Sequence, residues 1–286
     1  MKRSTARLFT AATSLALIAG ITACGAGAEA EPAASADPDC TPMHEFPTIK
    51  EGVLTVAAFN SPPKFHALSN SGPFEGVDAA LITQFAEENC LEVNFKPMTG
   101  PAAQLDLKDG KSDVMGGLIL KSAARGEIFG QTEGYITYET VGIVSNRGFN
   151  SVDDLQGKRV GLISGSTYVE PMKEAIGADL VEEYQSDTNA FEDLVAGRVD
   201  ALALQTMQGT YLRAKNPEYA TEIIEEDPDY PILTGLLENN WPHTKGVPEL
   251  TAAIDDFFER VKADGTAERV LKENGLENTE FYLKGR

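Results

Sequence analysis

The chain has 286 residues, with 24 Lys or Arg against 44 Asp or Glu, a formal net charge of −20 and 42% hydrophobic residues. This is a globular composition with enough apolar material for a sizeable core. A bulk charge so negative excludes nucleic acid as a partner, since nothing neutralises phosphates, and argues against adhesion to anionic lipid headgroups.

The first 23 residues carry Lys2, Arg3 and Arg7 and no acid, with an apolar stretch from Leu8 to Ile21. A charged start before an apolar segment of this length is expected to be an export signal, too short for a membrane span. The run Ile21-Thr22-Ala23-Cys24-Gly25 resembles the bacterial lipobox, which implies cleavage before Cys24 and lipidation of its thiol. The competing reading is an ordinary signal followed by a coincidental Cys. Residues 1–23 are thus expected to be a lipoprotein signal peptide. Its removal takes three cations and no anion, leaving 21 basic against 44 acidic residues, a formal −23.

Residues 24–39 are Ala, Gly, Pro, Ser and acids, with no aliphatic side chain larger than Ala beyond the Cys. Such a segment cannot bury enough surface to offset its ordering entropy and is expected to be a flexible tether. Two cysteines remain, Cys40 and Cys90. In an exported protein they are expected to form a disulfide pinning the N-terminal arm, the alternative being two separate buried thiols. No C-x-x-C or metal-ligand spacing occurs, so neither a metal nor another cofactor is expected.

The body, from Cys40, alternates strand and helix patterns. Val53–Phe59 reads as a strand, Val77–Glu88 as a helix with Leu81, Ile82 and Phe85 on one face, and Leu91–Phe95 as a strand. Lys158–Ile163, Thr167–Ile176 and Leu180–Tyr184 repeat the order strand, helix, strand. Alternation of this kind predicts an α/β fold with mostly parallel sheets. An internal repeat sharpens it: Leu107 to Val114 and Leu194 to Ala201 share L-x-x-G-[KR]-x-D-[VA], with Gly110 and Gly197 87 positions apart. Each copy reads as a helix stopped by Gly and a turn into a strand, which suggests two similar lobes.

With the repeat, an ordered series of short motifs resembles the family 3 extracellular solute-binding proteins, the amino-acid and related receptors of ABC importers. The series is Thr48-Ile-Lys-Glu-Gly52-Val-Leu-Thr-Val56, Pro62-Pro63, Gly76-Val-Asp78, Gly110-Lys-Ser-Asp113 and Ser122-Ala-Ala-Arg125. It continues through Val160-Gly161, Gly165-Ser166-Thr167, Gly197-Arg-Val-Asp200, Lys245-Gly-Val-Pro-Glu-Leu250 and Lys262-Ala-Asp-Gly265, covering about residues 48–276. Cys40 and Asn89-Cys90-Leu91 are similar to an actinobacterial branch. The resemblance implies a two-lobed α/β fold of the type II periplasmic-binding-protein kind, with two crossing strands as hinge and ligand in the cleft. Residues 40–145 and 236–286 would form lobe 1 and 146–235 lobe 2, with Val141–Val144 and Ile232–Leu237 crossing.

The same resemblance implies site residues. Arg125 would hold a ligand carboxylate, to which a guanidinium presents a planar fork, with Ser122 at the hydroxyl position of that motif. Gly165-Ser166-Thr167 would be the opposite jaw, its backbone N–H groups at the start of a helix forming an anion site. Read from spacing alone, Arg125 is a surface residue on a first helical turn, and Ser166 and Thr167 are cap residues. Phe59 is expected as an aromatic wall, with Phe65 or Tyr168 as further candidates. Gln205 is a departure: the family places there an Asp that binds the ligand ammonium. The solute is then either a carboxylate without an amine, or one whose amine meets an acid from elsewhere, with Glu75, Glu139 and Glu170 as candidates. Leu120, where several amino-acid receptors carry a polar residue, points the same way.

The expected function is a lipid-anchored receptor, at the outer face of the cell membrane, that captures a small carboxylate-bearing solute by lobe closure and passes it to an ABC permease. It would be a monomer that touches the bilayer only through Cys24. Catalysis is not expected: His44, His66 and His243 form no recognisable constellation, and nucleophile elbows and phosphate-binding loops are missing. The rivals are an exported dehydratase-like enzyme on the same fold and a signalling lipoprotein that does not transport.

Overall fold

The computed structural model describes residues 39–285, so the signal peptide, the lipidation expected at Cys24 and most of the tether lie outside the described residues. The N-terminal arm is held to the body by a Cys40–Cys90 disulfide with Cα atoms 5.9 Å apart. Phe46 of the arm stacks on Phe85, centroids 5.7 Å apart. The pairing expected from two left-over cysteines is the one present.

The first run of elements comprises β1 (Val53–Phe59), a small hairpin of β2 (His66–Ala67) and β3 (Phe74–Glu75), α1 (Val77–Glu88), β4 (Glu92–Met98), α2 (Gly100–Lys108), β5 (Val114–Gly116), β6 (Ile119–Leu120), α3 (Ala123–Gly126) and β7 (Thr137–Glu139). β1 is the centre of a parallel sheet in the order β4-β1-β5. All seven of its residues are buried, because helices cover both faces of such a sheet, and the strand therefore reads as a continuous apolar run. α1 turns Val77, Leu81, Ile82 and Phe85 inward, the helical spacing of a buried stripe.

The second run comprises β8 (Val141–Ser145), β9 (Val160–Ile163), α4 (Val169–Ile176), β10 (Val181–Tyr184), α5 (Asp187–Val195), β11 (Ala201–Gln205), α6 (Thr206–Lys215), β12 (Ala220–Ile223) and α7 (Pro231–Thr234). Its five strands are ordered β10-β9-β11-β8-β12, parallel at β10-β9-β11 and antiparallel where β8 joins β11 and β12. The chain then returns through β13 (Leu237–Asn240) to α8 (Pro248–Ala263), α9 (Thr266–Glu273) and α10 (Thr279–Lys284). β13 pairs antiparallel between β6 and β7. Trp241 packs with Phe85, Phe257 and Phe258 at centroid distances of 4.9–5.8 Å, the aromatic centre of the first lobe.

Of the two expected crossing segments, Val141–Val144 is strand, paired along its length in the five-stranded sheet, and the other needs correction. Of the segment Ile232–Leu237, the first part is α7, begun by Pro231 and folded back by Thr234, whose Oγ1 bonds the carbonyls of Asp227 and Tyr230; strand starts at Leu237. The chain passes between the sheets at Thr140 and at Gly235–Leu236, and Thr140 Oγ1 donates to the Gly235 carbonyl at 2.9 Å. The two passages are thus tied to each other.

The internal repeat is a structural repeat. After α2, Gly110 N–H bonds the Leu107 carbonyl and Lys111 N–H the Asp106 carbonyl; after α5, Gly197 N–H bonds Leu194 and Arg198 N–H bonds Asp193. Both are Schellman caps, which need a left-handed residue just past the helix. Gly110 at φ 68° and Gly197 at φ 69° supply it. The two Asp also match. Asp113 N–H donates to the Thr55 carbonyl while its Oδ2 accepts from Thr55 N–H, and Asp200 makes the same reciprocal pair with Arg159. Each Asp therefore locks the strand after the helix to a parallel neighbour, β5 to β1 and β11 to the start of β9.

Candidate functional site

The carboxyl ends of β1, β9 and β11 converge on one cavity of about 50 Å³ that opens to solvent. Crevices at strand carboxyl ends are where open α/β sheets bind ligands. Phe59, Met115 and Ile119 form its apolar wall on the side of the first sheet, and Ile163, Ala203 and Leu204 on the other. Its polar lining is Arg125, Gln104, Gln205, Gln208, Ser164 and Ser166. No Asp or Glu lines it, and Arg125 is the one charged residue in that lining.

Arg125 sits on α3, whose start is capped by Ser122: the hydroxyl accepts from Arg125 N–H at 3.2 Å. The guanidinium Nη1 donates to the Leu120 carbonyl at 2.6 Å and to Thr167 Oγ1 at 2.9 Å, and Nη2 to the Gly165 carbonyl at 3.1 Å. Three of its five N–H groups are so used; Nε–H and one proton on Nη2 remain for a ligand. Burial brings its pKa down to about 10, which leaves it a cation at neutral pH.

The loop after β1 reaches the cavity from below. Gly76 lies at φ 111° and a Cβ there would meet the carbonyls of Pro63 and Lys64 at 2.7 Å, so only glycine fits. That close approach lets the first N–H groups of α1 bond the loop: Val77 N–H to Pro63 and Asp78 N–H to Lys64. Lys64, fixed in this way, is fully buried. Its Nζ donates to Gln205 Oε1 and lies 5.8 Å from the Phe59 ring centroid. Burial lowers its pKa, opposed by the carboxylates of Glu139, Asp187 and Asp78. Gln205 is oriented at both ends, since its Nε2 donates to Asn239 Oδ1 at 3.1 Å.

A second bridge crosses beside it. Ser61 Oγ donates to Asp187 Oδ2 at 2.8 Å and accepts from Gln208 Nε2 at 2.6 Å. Burial raises the Asp187 pKa, opposed by Lys64 and these two partners. Asp78 is likewise consumed internally, accepting from Leu118 N–H at 2.6 Å and Trp241 Nε1 at 2.8 Å.

Of the residues expected at the site, Arg125, Ser166, Gln205 and Phe59 line the cavity together. Ser122 and Thr167 stand one step back, on Arg125. Tyr168 is corrected to core: it is 1% exposed and packs with Leu120, Val141 and Leu233. Phe65 is core too, stacked on Phe74. The anion turn differs as well. α4 starts at Val169, and Ser166 N–H is bonded to the Ile163 carbonyl inside the turn. Glu75 is exposed, Glu139 is buried behind Thr206 and Glu170 pairs with Lys173, so none of the three candidate acids lines the cavity. Lys64, Gln104 and Gln208 were missed. The only local signal for Lys64 is a charge lodged between Pro63 and Phe65.

The sequence profile of the bacterial extracellular solute-binding proteins, family 3, matches residues 54–276. The L-cystine-binding protein TcyJ of Escherichia coli (strain K12) is 26% identical over 228 residues, 76% of this chain and 81% of that one. An ancestral arginine-binding protein, solved with glutamine bound, superposes with a TM-score of 0.69 at 25% identity, covering 80% of this chain and all of the other. The fold alone is shared with AbpA, an amino acid ABC transporter substrate-binding protein from Streptococcus pneumoniae solved with L-arginine. There the TM-score is 0.70 at 21% identity, over 78% of this chain and 94% of that one.

Proposed function

The chain belongs to the bacterial extracellular solute-binding proteins of family 3, and from that membership we propose that it is the lipid-anchored receptor of an ABC importer, closing two lobes on a small carboxylate-bearing solute, an amino acid or a related compound. The two-lobed type II fold is common to its structural neighbours. One observation carries the ligand class: Arg125 lines the cavity as its single charge and keeps Nε–H and one Nη2 proton available. Two such N–H groups match the paired oxygens of a carboxylate. The names of the cystine- and arginine-binding relatives support a solute of this size and polarity.

The mechanism is population shift. Arg125 already reaches Gly165 and Thr167 on the far jaw, and Lys64 and Ser61 reach Gln205 and Asp187. A solute that bonds both jaws favours the closed form, because only there are its two ends satisfied at once. The passages at Thr140 and Gly235 serve as the hinge. The residues assigned to the lobes are 40–145 with 236–286, and 146–235, the last strand of the first block pairing into the second sheet. Lipidation at Cys24 would hold the receptor at the outer face of the membrane, beside the permease. Cells fed a labelled fatty acid should label the wild type and not Cys24→Ala; equal labelling would remove the anchor from this account.

The test of the site is calorimetry. Amino acids and simple carboxylates are first ranked by the rise in Tm of the purified protein, since a bound solute stabilises by mass action. Arg125→Ala should then weaken the best binder by about 100-fold or more, from hydrogen bonds to charge worth about 1.5–3 kcal/mol each. Unchanged affinity would refute the carboxylate assignment.

A further inference from the structure

We infer that Lys64 is a ligand-site residue and that the solute is a carboxylate without an ammonium group, carrying instead a hydrogen-bond acceptor such as a carbonyl, hydroxyl or second carboxylate that faces the Lys64–Gln205 pair. The inference rests on Arg125 holding the carboxylate. It starts from an imbalance of charge. The cavity lining holds one cation, three Gln amides, two Ser hydroxyls and no carboxylate. A second cation stands at its edge, because Lys64 Nζ is bonded to one lining side chain, Gln205, and lies 5.8 Å from the ring of another, Phe59.

The acids nearby offer an ammonium little. Asp187 accepts from Ser61 and Gln208, Glu139 from Thr206 and Met207 N–H, and Asp78 from Leu118 N–H and Trp241. All three are buried and turned to these partners and to the charge of Lys64. Two of the three Gln oxygens in the lining are also occupied, Gln205 Oε1 by Lys64 and Gln208 Oε1 by Gln205 N–H. An ammonium in this cavity would give up its water for no counter-charge, beside Lys64 and Arg125, which burying a charge does not tolerate. An acceptor is the complementary group. Lys64 has three donors, of which Gln205 takes one.

Matched solutes decide it. The purified protein is titrated calorimetrically with L-alanine, lactate and pyruvate, with L-glutamate, 2-oxoglutarate and glutarate, and with L-aspartate, malate and succinate. The expected result is that the best binder is amine-free and at least about 10-fold tighter than the amino acid of its own skeleton. In Lys64→Met, which keeps the stem and removes the charge, that ratio should fall about 10-fold. An amino acid that binds as tightly as its amine-free partners in the wild type overturns the inference, whether or not Lys64→Met folds. If that amino acid loses affinity in Arg125→Ala, the carboxylate reading survives alone. If no solute in any series binds, both fall together. A preference for amine-free acids that Lys64→Met leaves unchanged removes Lys64 from the site.

Discussion

Glu139 is wholly buried, with Thr206 Oγ1 and Met207 N–H donating to it. Burial pushes its pKa up to about 7 from 4.5, against the pull of Thr206 and of Lys64. The folded chain therefore holds this proton more tightly than the unfolded one. Between about pH 4.5 and 7 the native state binds the extra proton, so the stability from Glu139 is full below that window and is lost as pH rises through it. Glu139→Gln should flatten that part of the profile, measured as the change in Tm between pH 4.5 and pH 7.5 relative to wild type; parallel profiles would count against a perturbed Glu139. At this scale the sequence exposed Arg125 through the family resemblance of a motif only four residues long, Ser122 to Arg125, in which Ser122 caps the turn beneath. It did not expose Lys64, whose meaning depends on Gln205, 141 positions away.

At the scale of elements, the repeated Schellman caps make a quantitative expectation. Nothing lies within 4 Å of a Cβ added at Gly110 or Gly197, so replacing either by Ala strains only the left-handed backbone. Each substitution should cost about 1–2 kcal/mol, and the double variant about the sum, because the caps serve different sheets and share no partner. Denaturant unfolding measures it; a neutral Gly110→Ala would mean that the cap does not hold the helix end. Elements governed by local pattern were legible: α1 begins and ends where its apolar spacing does, and the arm closes on Cys90. α4 was anticipated two residues early. Gly165-Ser166-Thr167 looks like a helix start, but Ser166 N–H turns to Ile163 and Thr167 Oγ1 is taken by Arg125. The segment at Ile232 was misread for a similar reason, as its helix is held by Thr234 and Pro231 rather than by an apolar period.

For the molecule as a whole, the proposed function turns on the balance between open and closed cleft. Ser61 bridges the jaws by donating to Asp187 and accepting from Gln208. Ser61→Ala removes both bonds and leaves a buried carboxylate with one partner fewer. A hydrogen bond to a charged group is worth about 1.5–3 kcal/mol, so the closed population should fall about 10- to 100-fold relative to open. Small-angle scattering should then show a larger radius of gyration for the ligand-free variant than for wild type, with the difference removed by saturating solute. Equal radii without ligand would mean that this bridge does not favour closure. Composition, the strand–helix rhythm, the Gly-marked repeat and the ordered motifs by themselves determined the fold class and the pairing of cysteines and singled out Arg125 as a residue of the cavity, because each rests on residues close in the chain or on bulk properties. Only the tertiary structure decided that Tyr168 is core, that no acid lines the cavity and that Lys64 stands beside Gln205. Those facts depend on which distant segments share a cleft, and on the cost of burying a charge where they meet.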